Sequence, residues 1–224
     1  MTETAPVPTA SPSSLRLIAT LAGIAIMSGL LVALAAEFTR EPILKNRREA
    51  LEKAVFTVLP EATARKNFLL NESGLTPLGD DAISEANCYA GYNESGELVG
   101  VAIEASARGY QDVVKILYGY NPHTNCILGF TVLQSSETPG LGDRVETDPD
   151  FLANFACLEA TLNEAGTDLK NQIVTVKNGT KKHPWQIDAI SGATVTSTAI
   201  GTALQKSTTK LLPLIHKVEP EFAQ

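Results

Sequence analysis

The most constraining feature of the chain is an uncharged apolar run of 20 residues, 17–36. At about 1.5 Å rise per residue, a helix of this length matches the ~30 Å hydrocarbon core of a bilayer. A cleaved signal peptide is the main alternative, because residues 33–35 (ALA) resemble a processing site, but the run is longer than the usual h-region of about 7 to 15 residues. A buried core helix would show a polar stripe, which the run lacks. The run therefore predicts a transmembrane helix over 15–38.

The rest of the chain divides into four segments. Residues 1–14 are rich in Pro, Ser and Thr, a composition that cannot bury enough apolar surface to offset its ordering entropy, so we expect a disordered tail. Apolar residues at helical spacing, closed by Pro60, predict an amphipathic connecting helix over 39–65. Residues 66–212 then form the folded domain, and 213–224 a C-terminal tail.

Within the domain, short β-rich runs alternate with turn residues. Strands are expected at residues 88–92, 98–103, 113–120, 127–133 and 173–176. The first two form a predicted hairpin around a turn at 93–96. Helices are predicted over 148–157, with Asp148 as N-cap, and over 194–212. We therefore expect an α+β fold, in which a compact domain has an antiparallel-type sheet and flanking helices.

Charge and cysteine usage exclude several classes of function. The net charge of −7 and the absence of a basic stripe in the domain argue against nucleic-acid binding. Cys88, Cys126 and Cys157 are too far apart for a CxxC pair, so one disulfide is possible and its pairing stays open. None of the three histidines lies in a CxxCH or HExxH context, and we expect no metal site.

The Lys and Arg residues that flank the apolar run bear on its orientation. Only Arg16 precedes the run, whereas five basic residues follow it: Arg40, Lys45, Arg47, Arg48 and Lys53. The interleaved glutamates count little in the positive-inside rule. Taken literally, the rule predicts a cytoplasmic C-terminal domain.

The segment 188–197 (DAISGATVTS) combines small and hydroxyl residues just before the last predicted helix. Ser191 can cap that helix, and Gly192 and Ala193 remove steric bulk. Thr194 lies in the first turn, where unpaired N–H groups and the helix dipole favour an anion. An ordinary N-capped helix start explains the same residues. The physics thus indicates a place that suits a phosphate without identifying a ligand.

Residues 188–194 (DAISGAT) resemble the flavinylation motif of bacterial respiratory flavoproteins, which carry FMN in phosphoester linkage to threonine. A second motif is the mid-domain loop 137–143 (ETPGLGD), which alone would be interpreted as a surface turn. With the single N-terminal span, the two motifs make nearly the whole chain after Ser14 similar to the G subunit of the Rnf ion-translocating electron transport complex. The C subunit of the Na⁺-translocating NADH:quinone oxidoreductase is a more distant likeness.

The resemblance implies covalent FMN on Thr194, with Thr196 and Thr198 as weaker candidates. It also implies a cofactor-binding set drawn from both motifs: Asp188, Ser191, Gly192, Ala193, Glu137, Thr138, Gly140, Leu141 and Gly142. Glycines in the 137–143 loop would let backbone N–H groups approach the flavin. Four aromatic residues are candidates to stack on its ring, although strand aromatics usually lie in the core: Tyr110, Tyr118, Tyr120 and Trp185.

The function implied is that of an electron-carrying member of a membrane complex that couples ferredoxin/NAD-type electron transfer to ion translocation. No residue is expected to be catalytic, and the chain should have no turnover of its own. Implied partners are other membrane and redox subunits, an Mg²⁺-dependent flavin transferase that uses FAD, and membrane lipid. The expected location is the cytoplasmic (inner) membrane, single-pass, with the FMN domain on the periplasmic side, against the Lys/Arg count.

Two other classes of function use the same residues. A membrane-tethered FMN-binding sensor would carry the same motif but would transfer no electrons. A hydrolase with Ser191 as nucleophile is poorly supported, because the segment is not GxSxG and no triad partner is indicated.

Overall fold

The computed structural model describes residues 14–71 and 73–223. The chain separates into two compact units, Met1–Arg47 and Arg48–Gln224. The described part of the first unit is entirely helical. The predicted disordered tail lies outside the described residues except for Ser14, which already begins the first helix.

The predicted membrane helix and connecting helix are one continuous element, α1, Ser14–Val58. Pro42 lies inside α1, so one backbone hydrogen bond is lost there without ending the helix. The helix ends at Val58, two residues before Pro60, and not at residue 65 as expected, because residues from Ala64 onward form a strand. Within the part of the chain that the structure describes, α1 alone is long and apolar enough to cross a membrane.

The last turns of α1 belong to the core of the second unit. Leu51, Ala54, Val55 and Val58 are buried there against one face of the sheet, and Leu59 follows them. Three glycines on neighbouring strands make room for this contact: Gly91, Gly100 and Gly119. A Cβ at either of the first two would lie 2.8 Å from a Leu59 methyl carbon, and one at the third would lie 2.2 Å from the Val58 carbonyl oxygen. We call these three residues the glycine floor.

The main sheet has seven antiparallel strands in the order β2-β1-β3-β4-β5-β6-β7. Its strands are β1 Ala64–Asn71, β2 Gly74–Leu78, β3 Cys88–Tyr92, β4 Leu98–Arg108, β5 Val113–Asn121, β6 Cys126–Gln134 and β7 Leu158–Glu159. The predicted β3–β4 hairpin is confirmed, as are β5 and β6. The sequence did not predict β1, β2 or β7. Their runs are polar, contain Pro77, or are only two residues long.

A long C-terminal helix, α3, Thr194–Val218, packs on the other face of the sheet. The prediction that it ends at 212 is wrong, because Pro213 is accommodated inside the helix. The buried side chains continue through Ile215 and Val218 to Phe222, so residues 213–222 are part of the fold and not a loose tail. Two short parallel strands, β8 Val174–Val176 and β9 Gln186–Asp188, lie beside the start of α3.

The predicted helix at 148–157 is shorter than expected. Asp148 caps it as predicted, accepting from the Phe151 N–H at 3.2 Å, but α2 covers only Pro149–Leu152 and is followed by a 3₁₀ turn, Ala153–Phe155. Two residues after that turn, Cys157 forms a disulfide with Cys126 at the start of β6. Cys88 is a free, fully buried thiol.

Candidate functional site

A cavity of about 420 Å³ lies where the loop after β6 meets the first turn of α3. Its volume falls in the range of about 300 to 1,000 Å³ that small-molecule sites occupy. The lining residues are Tyr110, Glu137, Thr138, Leu141, Gly142, Gly192, Ala193, Thr194, Val195 and Thr196. The structure thus brings together the two motifs of the sequence. Of the expected site residues, Asp188, Ser191 and Gly140 do not line this cavity.

The start of α3 differs from the sequence prediction in its cap. Ala193 is the N-cap residue, and no side chain caps it, so the prediction that Ser191 caps the helix is wrong. Ser197 instead closes the turn from inside the helix, because its hydroxyl accepts from the Ile190 N–H at 3.1 Å and donates to the Ala193 carbonyl at 2.9 Å. The N–H groups of Thr194, Val195 and Thr196 belong to the first turn, which has no intrahelical acceptor for them.

Three threonine hydroxyls near the helix start differ sharply in accessibility. Thr194 is exposed and lines the cavity, and its hydroxyl donates only a long 3.3 Å bond to the Ile190 carbonyl. Thr196 is buried, with its hydroxyl directed at Glu137. Thr198 is exposed but does not line the cavity, and its hydroxyl donates to the Thr194 carbonyl at 2.7 Å. Of the three, Thr194 alone is both exposed and part of the cavity lining.

Glu137 is a buried carboxylate that joins three parts of the site. Its Oε2 accepts from the Thr196 hydroxyl, and its Oε1 accepts from the Gln111 N–H at 3.0 Å. Burial raises the pKa of Glu137, but the hydrogen bonds from Thr196 and from the N–H groups of residues 110–112 outweigh it, so the pKa lies below its ordinary value. The carboxylate is therefore ionised at neutral pH, and its oxygens are engaged with protein donors.

Glycines around Glu137 serve two different purposes. A Cβ on Gly142 would lie 2.5 Å from the Glu137 Cβ, and a Cβ on Gly109 would lie 2.5 Å from its Oε1. These two positions need glycine for space. Gly140 and Gly192 have φ values of +78° and +89° with open space around them, so they need glycine for backbone conformation.

Of the four aromatic candidates, the structure places one at the cavity. Tyr110 lines it and is 71% exposed. Tyr118 and Tyr120 are core residues, with hydroxyls bonded to Ser207 at 2.9 Å and Asn125 at 3.1 Å. Trp185 stacks on His183 away from the cavity lining. Both strand tyrosines face inward because alternate residues of β5 point into the core.

Arg144 is a residue that helps to hold the site together and that the sequence did not indicate. It donates to the Ser191 carbonyl at 3.2 Å and to the Asp148 carboxylate at 2.7 Å, and so ties the segment after the 137–143 loop to the SGAT turn. The Phe151 N–H and the Arg144 guanidinium hold the pKa of Asp148 below its ordinary value. Only the fold brings Arg144 and Ser191, 47 residues apart, into contact.

Asp188 faces away from the cavity toward a turn at 178–181. Its Oδ2 accepts from the Gly179 N–H at 2.9 Å, while its buried Oδ1 has no hydrogen-bond partner among the described residues. Burial holds the pKa of nearby Lys181 below its ordinary value, and the negative charge of Asp188 offsets this only in part. The Asp188 side chain thus ties the 178–181 turn to the end of β9.

The cavity suits a ligand with an anionic end and an apolar ring. The first turn of α3 offers free N–H groups and the positive end of the helix dipole beside the Thr194 hydroxyl. Tyr110, Leu141 and Val195 are half or more exposed around it and offer apolar contact. The phosphate and isoalloxazine ring of FMN fit this arrangement. No base is hydrogen-bonded to the Thr194 hydroxyl among the described residues.

Comparison with known proteins also indicates an FMN-binding protein. Residues 109–209 match the FMN-binding domain family. The chain is 31% identical over 192 residues to the G subunit of the ion-translocating oxidoreductase complex of Methanosarcina acetivorans, covering 86% of this chain and 91% of that protein. It is 30% identical over 165 residues to the G subunit of the Na⁺-translocating ferredoxin:NAD⁺ oxidoreductase complex of Acetobacterium woodii, covering 72% of this chain and 70% of that one.

Among solved structures, the fold resembles that of NqrC from Shewanella oneidensis. The TM-score is 0.61 at 18% identity, over 79% of this chain and 99% of that one. The C subunit of the Na⁺-translocating NADH-quinone reductase from Parabacteroides distasonis gives a TM-score of 0.56 at 19% identity, over 76% and 95%. At these identities, the likeness concerns the fold alone.

Proposed function

The chain belongs to the family of G subunits of ion-translocating oxidoreductase complexes, and from that membership we propose that it carries FMN bound covalently to Thr194 through the phosphate. It is an FMN-binding electron-transport component of a redox-driven translocase, with no expected turnover of its own. The observation that carries the attachment proposal is the accessible Thr194 hydroxyl in the first turn of α3, on the cavity wall.

The attachment is a transfer from FAD. The Thr194 oxygen forms a bond to the FMN phosphorus as the pyrophosphate bond of FAD breaks, AMP leaves, and the hydroxyl proton is released. The product would retain about one negative charge where free FMN carries nearly two, and the three N–H groups of the first turn would compensate that charge. A separate Mg²⁺-dependent flavin transferase would perform this step, since the described residues offer Thr194 no base.

When bound, FMN supplies one- and two-electron transfer chemistry, and the chain supplies position. Tyr110, Leu141 and Val195 would cover the ring, while Gly192 would let the backbone pass the phosphate. A covalent link would keep the carrier in place during repeated electron transfers, as a relay requires. The other subunits of the complex would donate and accept the electrons.

We further propose that the FMN domain lies on the periplasmic side of the cytoplasmic membrane, anchored by α1. The Cys126–Cys157 disulfide supports this side, because disulfides form and persist in oxidising compartments and are rare in the cytosol. The Lys/Arg count opposes it, but that rule is a statistical tendency that partner subunits can override. A C-terminal alkaline phosphatase fusion should be active in whole cells. Fluorescence from a C-terminal reporter that folds only in the cytoplasm would overturn the orientation.

The attachment is tested on the full chain, co-expressed with a flavin transferase, purified in detergent and denatured. We expect flavin fluorescence to stay with the protein band. Mass spectrometry should locate FMN less one water on Thr194. Thr194→Ala should abolish the label and Thr194→Ser should retain it, while Thr198→Ala, which removes the neighbouring exposed hydroxyl, should be labelled like the wild type. A label that washes away on denaturation, or that persists in Thr194→Ala, would refute the proposal.

A further inference from the structure

Asn154 is a buried amide that grips the backbone of Asp188, the first residue of the flavin attachment motif. Its Oδ1 accepts from the Asp188 N–H at 2.9 Å, and its Nδ2 donates to the Asp188 carbonyl at 3.2 Å. Asn154 is 4% exposed, although asparagine is mostly found at the surface. One amide thus bonds both backbone groups of a residue that lies 34 positions later in the chain.

The remaining hydrogen-bonding capacity of Asn154 is also used. Its Nδ2 donates to the Phe151 carbonyl at 2.9 Å, and its Oδ1 accepts from the Lys181 ammonium at 3.0 Å. A buried amide with both donors and its acceptor engaged fixes one geometry, because any other would leave a polar group unpaired at a cost of about 1 to 3 kcal/mol. Asn154 therefore holds α2, β9 and the 178–181 turn in one arrangement.

The backbone that carries Asn154 is itself fixed from the opposite side. Two residues after the 3₁₀ turn Ala153–Phe155, Cys157 forms a disulfide with Cys126, the first residue of β6. The Phe155 ring packs against Phe130 of β6, with ring centroids 4.7 Å apart. Asn154 thus projects from a segment that a covalent bond and a ring contact both hold against the main sheet.

Between Asp188 and Thr194, the backbone is held at successive residues by bonds from outside the segment. The Asn178 amide donates to the Ala189 carbonyl at 2.9 Å, the Ser197 hydroxyl accepts from the Ile190 N–H, and Arg144 donates to the Ser191 carbonyl. Asn154 fixes the first residue of this hydrogen-bonded segment. If Asp188 moved, the following residues would move with it, including Thr194 six residues later.

We infer that Asn154 is a positioning residue for flavin attachment. It holds the 188–194 segment in the conformation that a flavin transferase recognises, and the Cys126–Cys157 disulfide braces it. This inference rests on the proposed attachment at Thr194. The disulfide, formed when two thiols lose two electrons and two protons to a periplasmic thiol oxidant, therefore comes before FMN attachment in the maturation of the chain.

The test measures initial rates of FMN attachment to the purified full chain in detergent, with FAD, Mg²⁺ and a flavin transferase. In Asn154→Ala, only a fraction of the chains should hold the recognised conformation. The KM of the transferase for the chain should therefore rise about tenfold or more with little change in kcat, because apparent affinity falls by the competent fraction. The Cys126→Ser/Cys157→Ser double variant should shift the KM in the same direction, and hydrogen exchange of residues 186–197 should accelerate in both.

Two controls separate positioning from general damage. Asn163→Ala removes an asparagine whose amide bonds stay within its own turn, to Thr167, and should keep the wild-type KM. Phe68→Leu disturbs a buried ring contact with Phe222, after the C-terminal end of α3, so it lowers stability without touching the segment that carries Asn154. It should reduce at most the labelled fraction at saturation. A wild-type KM in Asn154→Ala, or an equal KM rise in Phe68→Leu, would overturn the inference while attachment stands. Absence of label on the wild-type chain would instead refute the attachment itself.

Discussion

The hydroxyl of Thr196 donates to the carboxylate of Glu137, which lies 59 residues earlier in the chain. This buried pair joins the loop after β6 to the first turn of α3, and so holds together the two walls of the cavity. Neither residue needs to touch a cofactor to shape its site. The pair also distinguishes Thr196 from Thr194, because the Thr196 hydroxyl is engaged inside the protein, whereas Thr194 is an exposed residue of the cavity wall.

Thr196→Val should lower the free energy of unfolding by about 1 to 3 kcal/mol, because Glu137 loses a donor while it stays buried. Urea unfolding followed by far-UV circular dichroism measures the change. Thr198→Val, nearby on the same helix and exposed, is the matched control and should change stability by about 0.5 kcal/mol or less. Equal losses in the two variants would show that the buried pair has no special role.

Stability should fall in acid through Glu137. Its pKa in the folded chain lies below the ordinary value of 4.5, so its contribution is present above about that pH and is lost as the pH falls through the folded pKa. Urea midpoints measured between neutral pH and about pH 3 should therefore fall more steeply for the wild type than for Glu137→Gln, which cannot titrate. Parallel curves would contradict the assignment of a depressed pKa to Glu137.

Two glycines in the same loop should respond differently to alanine. Gly142→Ala places a Cβ 2.5 Å from the Glu137 Cβ and should cost about 1 to 3 kcal/mol through overpacking, in addition to narrowing the cavity. Gly140→Ala meets open space and should cost about 1 to 2 kcal/mol through its positive φ alone. Because these two losses of stability are similar, FMN attachment distinguishes the variants better. The attached fraction should drop in Gly142→Ala and stay near the wild-type level in Gly140→Ala.

Reduction should destabilise the second unit. The Cys126–Cys157 bond joins two residues that are 31 positions apart in the chain. Its loss should lower the free energy of unfolding by about 2 to 4 kcal/mol, because the unfolded chain gains conformational entropy. Thermal melting with and without reductant measures this loss. Cys88 should not interfere, because burial raises the pKa of its thiol to about 12 and keeps it protonated and unreactive. The native oxidised chain should take up no alkylating label, and the denatured oxidised chain should take up one.

Much of the fold follows from local patterns. The apolar run predicts α1, and the Asn-Glu-Ser-Gly turn at 93–96 predicts the β3–β4 hairpin, because these signals lie within a few residues of one another. Strand β1 and the edge strand β2 were not indicated, since the buried Phe68 of β1 packs against Phe222, which is distant in sequence, and β2 contains Pro77. The sequence prediction ended α3 at residue 212, just before Pro213, but the apolar face of the helix continues past the proline, and packing outweighs the lost hydrogen bond.

The candidate site was predictable only in part. The motifs at 137–143 and 188–194 indicated which segments meet, and Thr194, Thr138 and Leu141 do line the cavity. What escaped sequence reasoning is how they are held. Arg144 and Asn154 look like ordinary polar residues, and their bonds to the SGAT turn and to Asp188 span 47 and 34 positions. No local pattern encodes a contact that the fold alone creates.

The glycine floor under Leu59 has a practical consequence for producing the domain without its anchor. A fragment that starts at residue 66 would lack the helical turns that carry Leu51 and Val55, and the Leu59 that follows them. The backbone of the glycine floor and the apolar side chains around it would then be exposed to water. Such a fragment should aggregate during expression. A fragment that starts near Arg48 keeps the residues that cover the glycine floor. It should therefore be soluble and suitable for crystallisation and electrochemistry.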